Sequence, residues 1–134
     1  MHRELLGALA DELIPAGSGM PSASEAGVAR EYLDAVFAAR PDLEAPLTRA
    51  LQSVEGMAPG AAIAQLRDTD PEGWGVLTAV VPGAYFLNPA IRAAIGYPGV
   101  EKRPIDPDAP PDYLEDGLLD SVIGRGSVYR PTPD

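Results

Sequence analysis

The chain has 134 residues, 46% of them hydrophobic, which is typical of one soluble globular domain large enough to bury a single core. It contains no cysteine, which excludes disulfides, thiolate metal sites and a cysteine nucleophile. Its formal charge of -10 argues against binding to nucleic acid or to anionic membranes, because a surface of that sign repels both.

The N-terminal half predicts three helices. The first is amphipathic and ends at Pro15. A capping box, Ser22 with Glu25, predicts the start of a second helix that runs to about Ala39. Apolar residues at helical spacing predict a third helix from about Ala45 to Val54. The apolar face of the first helix consists of Leu5, Leu6, Leu9, Leu13 and Ile14.

Prolines mark the elements that follow. Residues 59–66 predict a short alanine-rich turn or helix. Asp70-Pro71 has the residues of an N-cap and a first helical position, so a longer helix begins there, which Pro82-Gly83 should kink or break. Asn88-Pro89 repeats the start signal and predicts a short helix that stops at Gly96.

One long segment within this region carries no charge. Residues 73–91, GWGVLTAVVPGAYFLNPAI, run for 19 positions without an acid or a base. They also contain Pro82, Asn88 and Pro89, whereas a membrane-spanning helix needs about 20 predominantly apolar residues with intact backbone hydrogen bonds. We therefore expect a buried core or interface segment and no transmembrane span.

The composition changes after residue 99. Residues 100–134 are acidic and rich in proline, and only DYLEDGLLDSVIG, at 112–124, is capable of a helical turn or two. We predict a helical domain at 1–99 and an extended C-terminal tail at 100–134 that docks on a partner. Because no strand-like alternation of useful length occurs, the predicted fold class is all-α, a small irregular bundle of about five helices with this proline-rich tail.

No catalytic or cofactor-binding motif is recognisable. The only histidine is His2, so we expect no Ser-His pair. The acids of residues 106–116 lack the spacing of a calcium loop, and GRGS at 124–127 lacks the strand-and-helix context of a phosphate loop. The sequence therefore predicts no catalytic, metal or cofactor-binding residue on this chain.

The aromatic residues are concentrated late in the chain, which favours a partner surface there. Tyrosine and tryptophan bury a large area on binding at a small entropic cost. Gly96-Tyr97-Pro98-Gly99 leaves little helical backbone to hide its tyrosine, whereas Trp74 and Phe86 are equally compatible with a core position. The predicted partner-contacting residues are Trp74, Tyr85, Phe86, Tyr97, Pro98, Tyr113, Leu118, Leu119 and Tyr129.

Three blocks of sequence resemble a known family. LADELIPAG at 9–17, SASEAGVAREYLD at 22–34 and YFLNPAIRAAIGYPG at 85–99 are similar, in order and spacing, to the gluconate 2-dehydrogenase subunit 3 family. The resemblance implies a helical, non-catalytic small subunit bound to a large FAD-dependent oxidoreductase of the glucose–methanol–choline type, which acts on sugars, sugar acids, polyols or glycosides. FAD is then expected on the partner subunit and not on this chain.

The family also raises the question of location. In several such complexes the small subunit carries a twin-arginine export signal and helps its partner to mature. This sequence shows no such signal, so a cytoplasmic complex is expected, with a periplasmic location, reached with or through the partner, as the alternative.

Two other functions remain open at this stage. One is a free-standing helical module that binds a small ligand or a peptide at the Tyr97 corner. The other is an enzyme that uses carboxylates alone, as some sugar-cleaving enzymes do.

Overall fold

The computed structural model describes residues 2–100 and 117–126. In these ranges the chain forms seven α-helices and no β-strand, which confirms the predicted all-α fold class. A 3-10 turn, Pro41–Leu43, joins the second helix to the third. The helices are α1 (Arg3–Leu13), α2 (Glu31–Ala39), α3 (Glu44–Ser53), α4 (Pro59–Thr69), α5 (Pro71–Leu87), α6 (Pro89–Ala94) and α7 (Asp120–Arg125).

The chain divides into two units, Met1–Val100 and Glu101–Asp134. The helices α1 to α6 belong to the first unit and α7 belongs to the second. The short helix α7 lies in the segment where the sequence predicted a helical turn or two. Most of the predicted tail lies outside the described residues.

The helix α5 is the centre of the first unit. It packs against α2, α3, α4 and α6, while α1 packs against α4. A helix with neighbours on several sides has little room for a polar face, which explains the uncharged stretch at residues 73–91. None of the helices in the described ranges is both long enough and apolar enough to cross a membrane. The buried side chains of α5 include Val76, Leu77, Val80, Val81, Ala84 and Tyr85.

Pro82 does not end α5, so of the predicted kink or break at Pro82-Gly83 the break is wrong. The helix continues through this proline to Leu87. A proline inside a helix costs about 3 kcal/mol because it removes one backbone hydrogen bond and crowds the preceding turn. Val80 and Val81 before it are fully buried, and burial of such side chains at about 1.5–3 kcal/mol each offsets that cost.

The predicted start of the second helix at Ser22 is also wrong, although the capping box forms. The backbone N–H of Ser22 donates to Glu25 Oε2 at 2.9 Å, and the N–H of Glu25 donates to Ser22 Oγ at 3.4 Å. The chain then forms turns, and α2 begins only at Glu31. Gly27 has a φ of +85°, which an α-helix cannot contain, so the capping box closes a turn instead of a long helix.

The remaining boundaries agree closely with the prediction. The helix α3 begins one residue before the expected Ala45 and ends one residue before Val54. The expected alanine-rich turn or helix is the full helix α4, which continues past Leu66 to Thr69. Ala62 and Leu66 are buried, so packing of this face stabilises the helix. Its last turn, residues 67–69, is exposed, and there the Thr69 hydroxyl donates to the carbonyl of Gln65 at 2.8 Å.

Candidate partner interface

The junction between α5 and α6 is built by Asn88. Its Oδ1 accepts a hydrogen bond from the backbone N–H of Ala90 at 2.8 Å, which caps α6 as the sequence predicted. Its Nδ2 donates to the backbone carbonyl of Ala26 at 3.0 Å. One side chain therefore starts α6 and fixes it to the turn at residues 22–30.

The end of α6 is a glycine-terminated corner, as predicted. Gly96 has a φ of +69°, and its N–H donates to the carbonyl of Ala93 at 3.1 Å. The N–H of Tyr97 donates to the carbonyl of Arg92 at 2.8 Å. This pair of bonds is the Schellman arrangement, which satisfies the last carbonyls of a helix. It directs the chain away from α6 and leaves the Tyr97 side chain 50% exposed.

The structure separates the two neighbouring aromatic residues at the end of α5. Tyr85 is 4% exposed, and its hydroxyl donates to the backbone carbonyl of Pro21 at 2.8 Å. Burial raises its pKa. Phe86 is 49% exposed, and its ring meets the Tyr85 ring edge-on with 5.6 Å between centroids. Tyr85 is therefore a core residue, whereas Phe86 is half exposed.

The other predicted contact residues fall into different environments. Trp74 is partly buried and packs against the core, and Pro98 is exposed. In the second unit, Leu118 is exposed and Leu119 is partly buried, just before α7. The remaining two, Tyr113 and Tyr129, lie outside the described residues.

Sequence reasoning missed two exposed apolar residues in this region. Leu87, the last residue of α5, and Ile95, just after α6, both have exposed side chains. Ile95 follows the buried Ile91 by four residues, so helical spacing alone suggests the core. Gly96 is the signal that could have revealed the exposure of Ile95. A glycine that ends a helix places the residue before it outside the regular helix, where helical spacing no longer predicts burial.

A shallow depression of about 410 Å³ lies at the end of α6. Arg92 contributes the only charged side chain to it, and the Nε atom of this arginine is buried without a hydrogen-bond partner among the described residues. Arg92 is also the only charged residue between positions 73 and 100. The depression is lined by Pro89, Arg92, Ala93, Gly96, Tyr97 and Pro98.

The polar residues of the three resembling blocks connect the blocks to one another. Asp11 accepts hydrogen bonds from the backbone N–H of Ser24 at 2.7 Å and from its hydroxyl at 2.6 Å. Burial alone would raise the pKa of Asp11, but these bonds outweigh burial and hold the pKa below its ordinary value. The bonds of Tyr85 and Asn88 join the third block to residues 21–26. These side chains hold the fold together around the exposed end of α5 and α6.

The described residues bring few titratable groups together. His2 Nδ1 lies 3.3 Å from Glu55 Oε1 at the surface, beside a depression of about 440 Å³ that is distant in sequence from the Tyr97 corner. Within residues 2–100 and 117–126, no three His, Asp or Glu side chains form a group that could hold a metal ion. The acids at 106–116 lie outside these ranges.

Fold and surface together define a small all-α protein whose late helices α5 and α6 expose apolar side chains. The chain matches no protein-family model, no curated protein and no solved structure.

Proposed function

We propose that this chain is a non-catalytic small subunit of an FAD-dependent oxidoreductase of the glucose–methanol–choline type, which acts on sugars, sugar acids or glycosides. Its role is to bind the large flavoprotein subunit and to stabilise it or help it to mature. The proposal assigns FAD and the redox chemistry to that partner subunit.

The observation that carries the proposal is a set of exposed apolar side chains close to α6 in the sequence. Phe86, Leu87, Ile95 and Tyr97 all lie within twelve residues of one another along the chain and are between 40% and 52% exposed. Exposed groups of large apolar side chains mark interaction sites in soluble proteins. Completing the burial of a half-exposed side chain of this size contributes about 1 kcal/mol, so four of them contribute about 4 kcal/mol to association.

The arrangement of the resembling blocks is a second support. Their polar side chains hold residues 9–34 against the α5–α6 junction, so the blocks act as one structural unit. That unit presents the apolar surface in a fixed position. A surface that is already ordered loses less entropy when it binds, which favours a stable complex.

The direct test is co-expression with a large flavoprotein chosen from the neighbouring reading frames. We expect the two chains to purify together and the flavoprotein to show a higher yield, FAD content and melting temperature than when it is expressed alone. The matched control is the same co-expression with a chain in which Phe86 and Ile95 are both changed to Ser. A wild-type chain that purifies as a separate monomer and leaves all three quantities unchanged would refute the proposal.

The depression at Tyr97 favours one alternative, a free-standing module that binds a small ligand or a peptide. The same co-expression separates the two functions. A binding module leaves the FAD content of the flavoprotein unchanged, whereas a subunit raises it.

A further inference from the structure

The depression at the end of α6 combines an apolar lining with a single cation. Tyr97, Pro98 and Ala93 contribute to the lining, and Arg92 supplies the charge. An arginine that is partly shielded by apolar groups interacts more strongly with an anion than one fully surrounded by water, because the local dielectric constant is lower. The composition of this depression therefore suits a negatively charged group that is flanked by apolar ones.

Arg92 differs from most other arginines of the described ranges. Four of these pair with carboxylates of the same chain, namely Arg3, Arg40, Arg49 and Arg67. No carboxylate within residues 2–100 and 117–126 forms an ion pair with Arg92, although the whole chain carries a formal charge of -10.

The burial of Arg92 adds to this difference. Its Nε is buried, and no described residue accepts a hydrogen bond from it. A buried donor without an acceptor destabilises the free chain. Because this Nε is shielded, a carboxylate from outside would be bound by the other two guanidinium nitrogens, which are not buried without a partner.

We infer that Arg92 binds a carboxylate of the large flavoprotein subunit, from an Asp or Glu side chain or a chain terminus with apolar neighbours. This inference rests on the proposed function, since it names the chemistry of the partner at the same surface. The apolar neighbours of that carboxylate contact Tyr97 and Pro98. A partner that places a Lys or Arg side chain opposite Arg92 would be repelled. Arg92 therefore contributes specificity as well as affinity.

The test is the dissociation constant of the full chain with the purified flavoprotein, measured by calorimetry at 50 and 500 mM salt. Arg92→Met keeps a long apolar side chain and removes the charge, and we expect it to weaken binding at least about 30-fold at low salt. Arg92→Lys keeps the charge but loses the planar fork, so it should retain part of the affinity. The control Arg67→Met removes an exposed arginine that pairs with its neighbour Asp68 and should change binding less than about twofold.

Salt dependence separates an ion pair from a structural role. Wild-type binding should weaken between 50 and 500 mM salt, and Arg92→Met should show a smaller loss over the same range. The melting temperature of each free variant, measured first, identifies any that does not fold.

Three results would overturn the inference in distinguishable ways. If the wild type binds the flavoprotein and Arg92→Met binds equally well, the inference fails and the proposed function stands. If the wild type does not bind, both fail. If Arg92→Met instead abolishes a homodimer of the isolated chain, detected by sedimentation, the occupant is a second copy and not the flavoprotein.

Discussion

Asn88 offers the sharpest test of how the candidate interface is held in place. Its Oδ1 caps α6 through the N–H of Ala90, and its Nδ2 bonds the carbonyl of Ala26 in the turn before α2. Asn88→Ala removes both interactions. Asn88→Ser keeps an oxygen that can cap the helix but loses the donor that reaches Ala26, so the pair of variants separates the two contributions.

The two contributions can be estimated from the structure. Loss of an N-cap costs about 1 kcal/mol. Loss of the second bond costs about 1–2 kcal/mol, because Ala26 is buried and its carbonyl is left without this donor. We therefore expect Asn88→Ala to lower the free energy of unfolding by about 2–3 kcal/mol and Asn88→Ser by about 1–2 kcal/mol. In a domain of this size each kcal/mol lowers the melting temperature by about 3–4 °C.

The assay is urea unfolding of the full chain followed by far-ultraviolet circular dichroism, with slopes compared between variants. Gln52→Ala, at an exposed position of α3, is the control and should stay within about 0.5 kcal/mol of the wild type. If Asn88→Ser is as stable as the wild type, the bond to Ala26 contributes nothing. If it is as unstable as Asn88→Ala, the cap contributes nothing, and either outcome refutes the reasoning.

Three further predictions follow from the same geometry. A Cβ at Gly73 would collide with the carboxylate of Asp70, which caps α5, and would lie 2.8 Å from the Cβ of Ala50. Gly73→Ala should therefore destabilise by about 1–3 kcal/mol. Gly75→Ala, which meets nothing within 4 Å, should stabilise by about 0.5–1 kcal/mol, and urea unfolding measures both. The pKa of Asp11 is lowered in the fold, so its ionised carboxylate stabilises the fold above about pH 4. This stabilisation is lost as the pH falls through the folded-state pKa. Asp11→Asn should therefore be less stable than the wild type at pH 7, with the difference shrinking in melting curves as the pH falls below about 4. Tyr97→Ala should weaken binding to the flavoprotein about tenfold in calorimetry while shifting the melting temperature of the free chain by less than about 2 °C.

Each of these predictions has an outcome that contradicts it. Equal stability of Gly73→Ala and Gly75→Ala would show that Asp70 and Ala50 do not enclose Gly73 closely. A difference between Asp11→Asn and the wild type that is the same at pH 3 and pH 7 would mean that its ionised form contributes nothing. A Tyr97→Ala variant that melts well below the wild type would place this side chain in the fold and not at the interface.

Features set by a few neighbouring residues could be predicted from the sequence. The caps at Asp70 and Asn88 and the stop at Gly96 depend on bonds between groups at most five residues apart, and all three occur in the structure. The course of α5 through Pro82 could not be predicted in this way. The continuation of α5 depends on its burial against four other helices, and a short stretch of sequence does not show that packing.

The candidate interface shows the same limit at the level of single residues. Tyr85 and Phe86 are adjacent aromatics, and the sequence predicted both as partner contacts. Which of them enters the core is decided by the rotation of α5 about its own axis, and that rotation is set by the packing of α2, α3 and α4. The exposed Leu87 and Ile95 were missed because the sequence does not report how a helix is rotated. An apolar residue at helical spacing is then predicted to be buried.

These results separate what the resembling blocks do from what a partner would recognise. Asp11, Ser24, Tyr85 and Asn88 all direct their polar groups to other parts of the same chain, so a resemblance in these residues bears on the fold. The side chains left for a partner in the first unit include the half-exposed apolar ones near α6 and Arg92. Two chains could share the blocks and bind different flavoproteins if they differed at that surface. Substitutions at Asn88 should therefore affect stability first, and substitutions at Arg92 should affect the choice of partner.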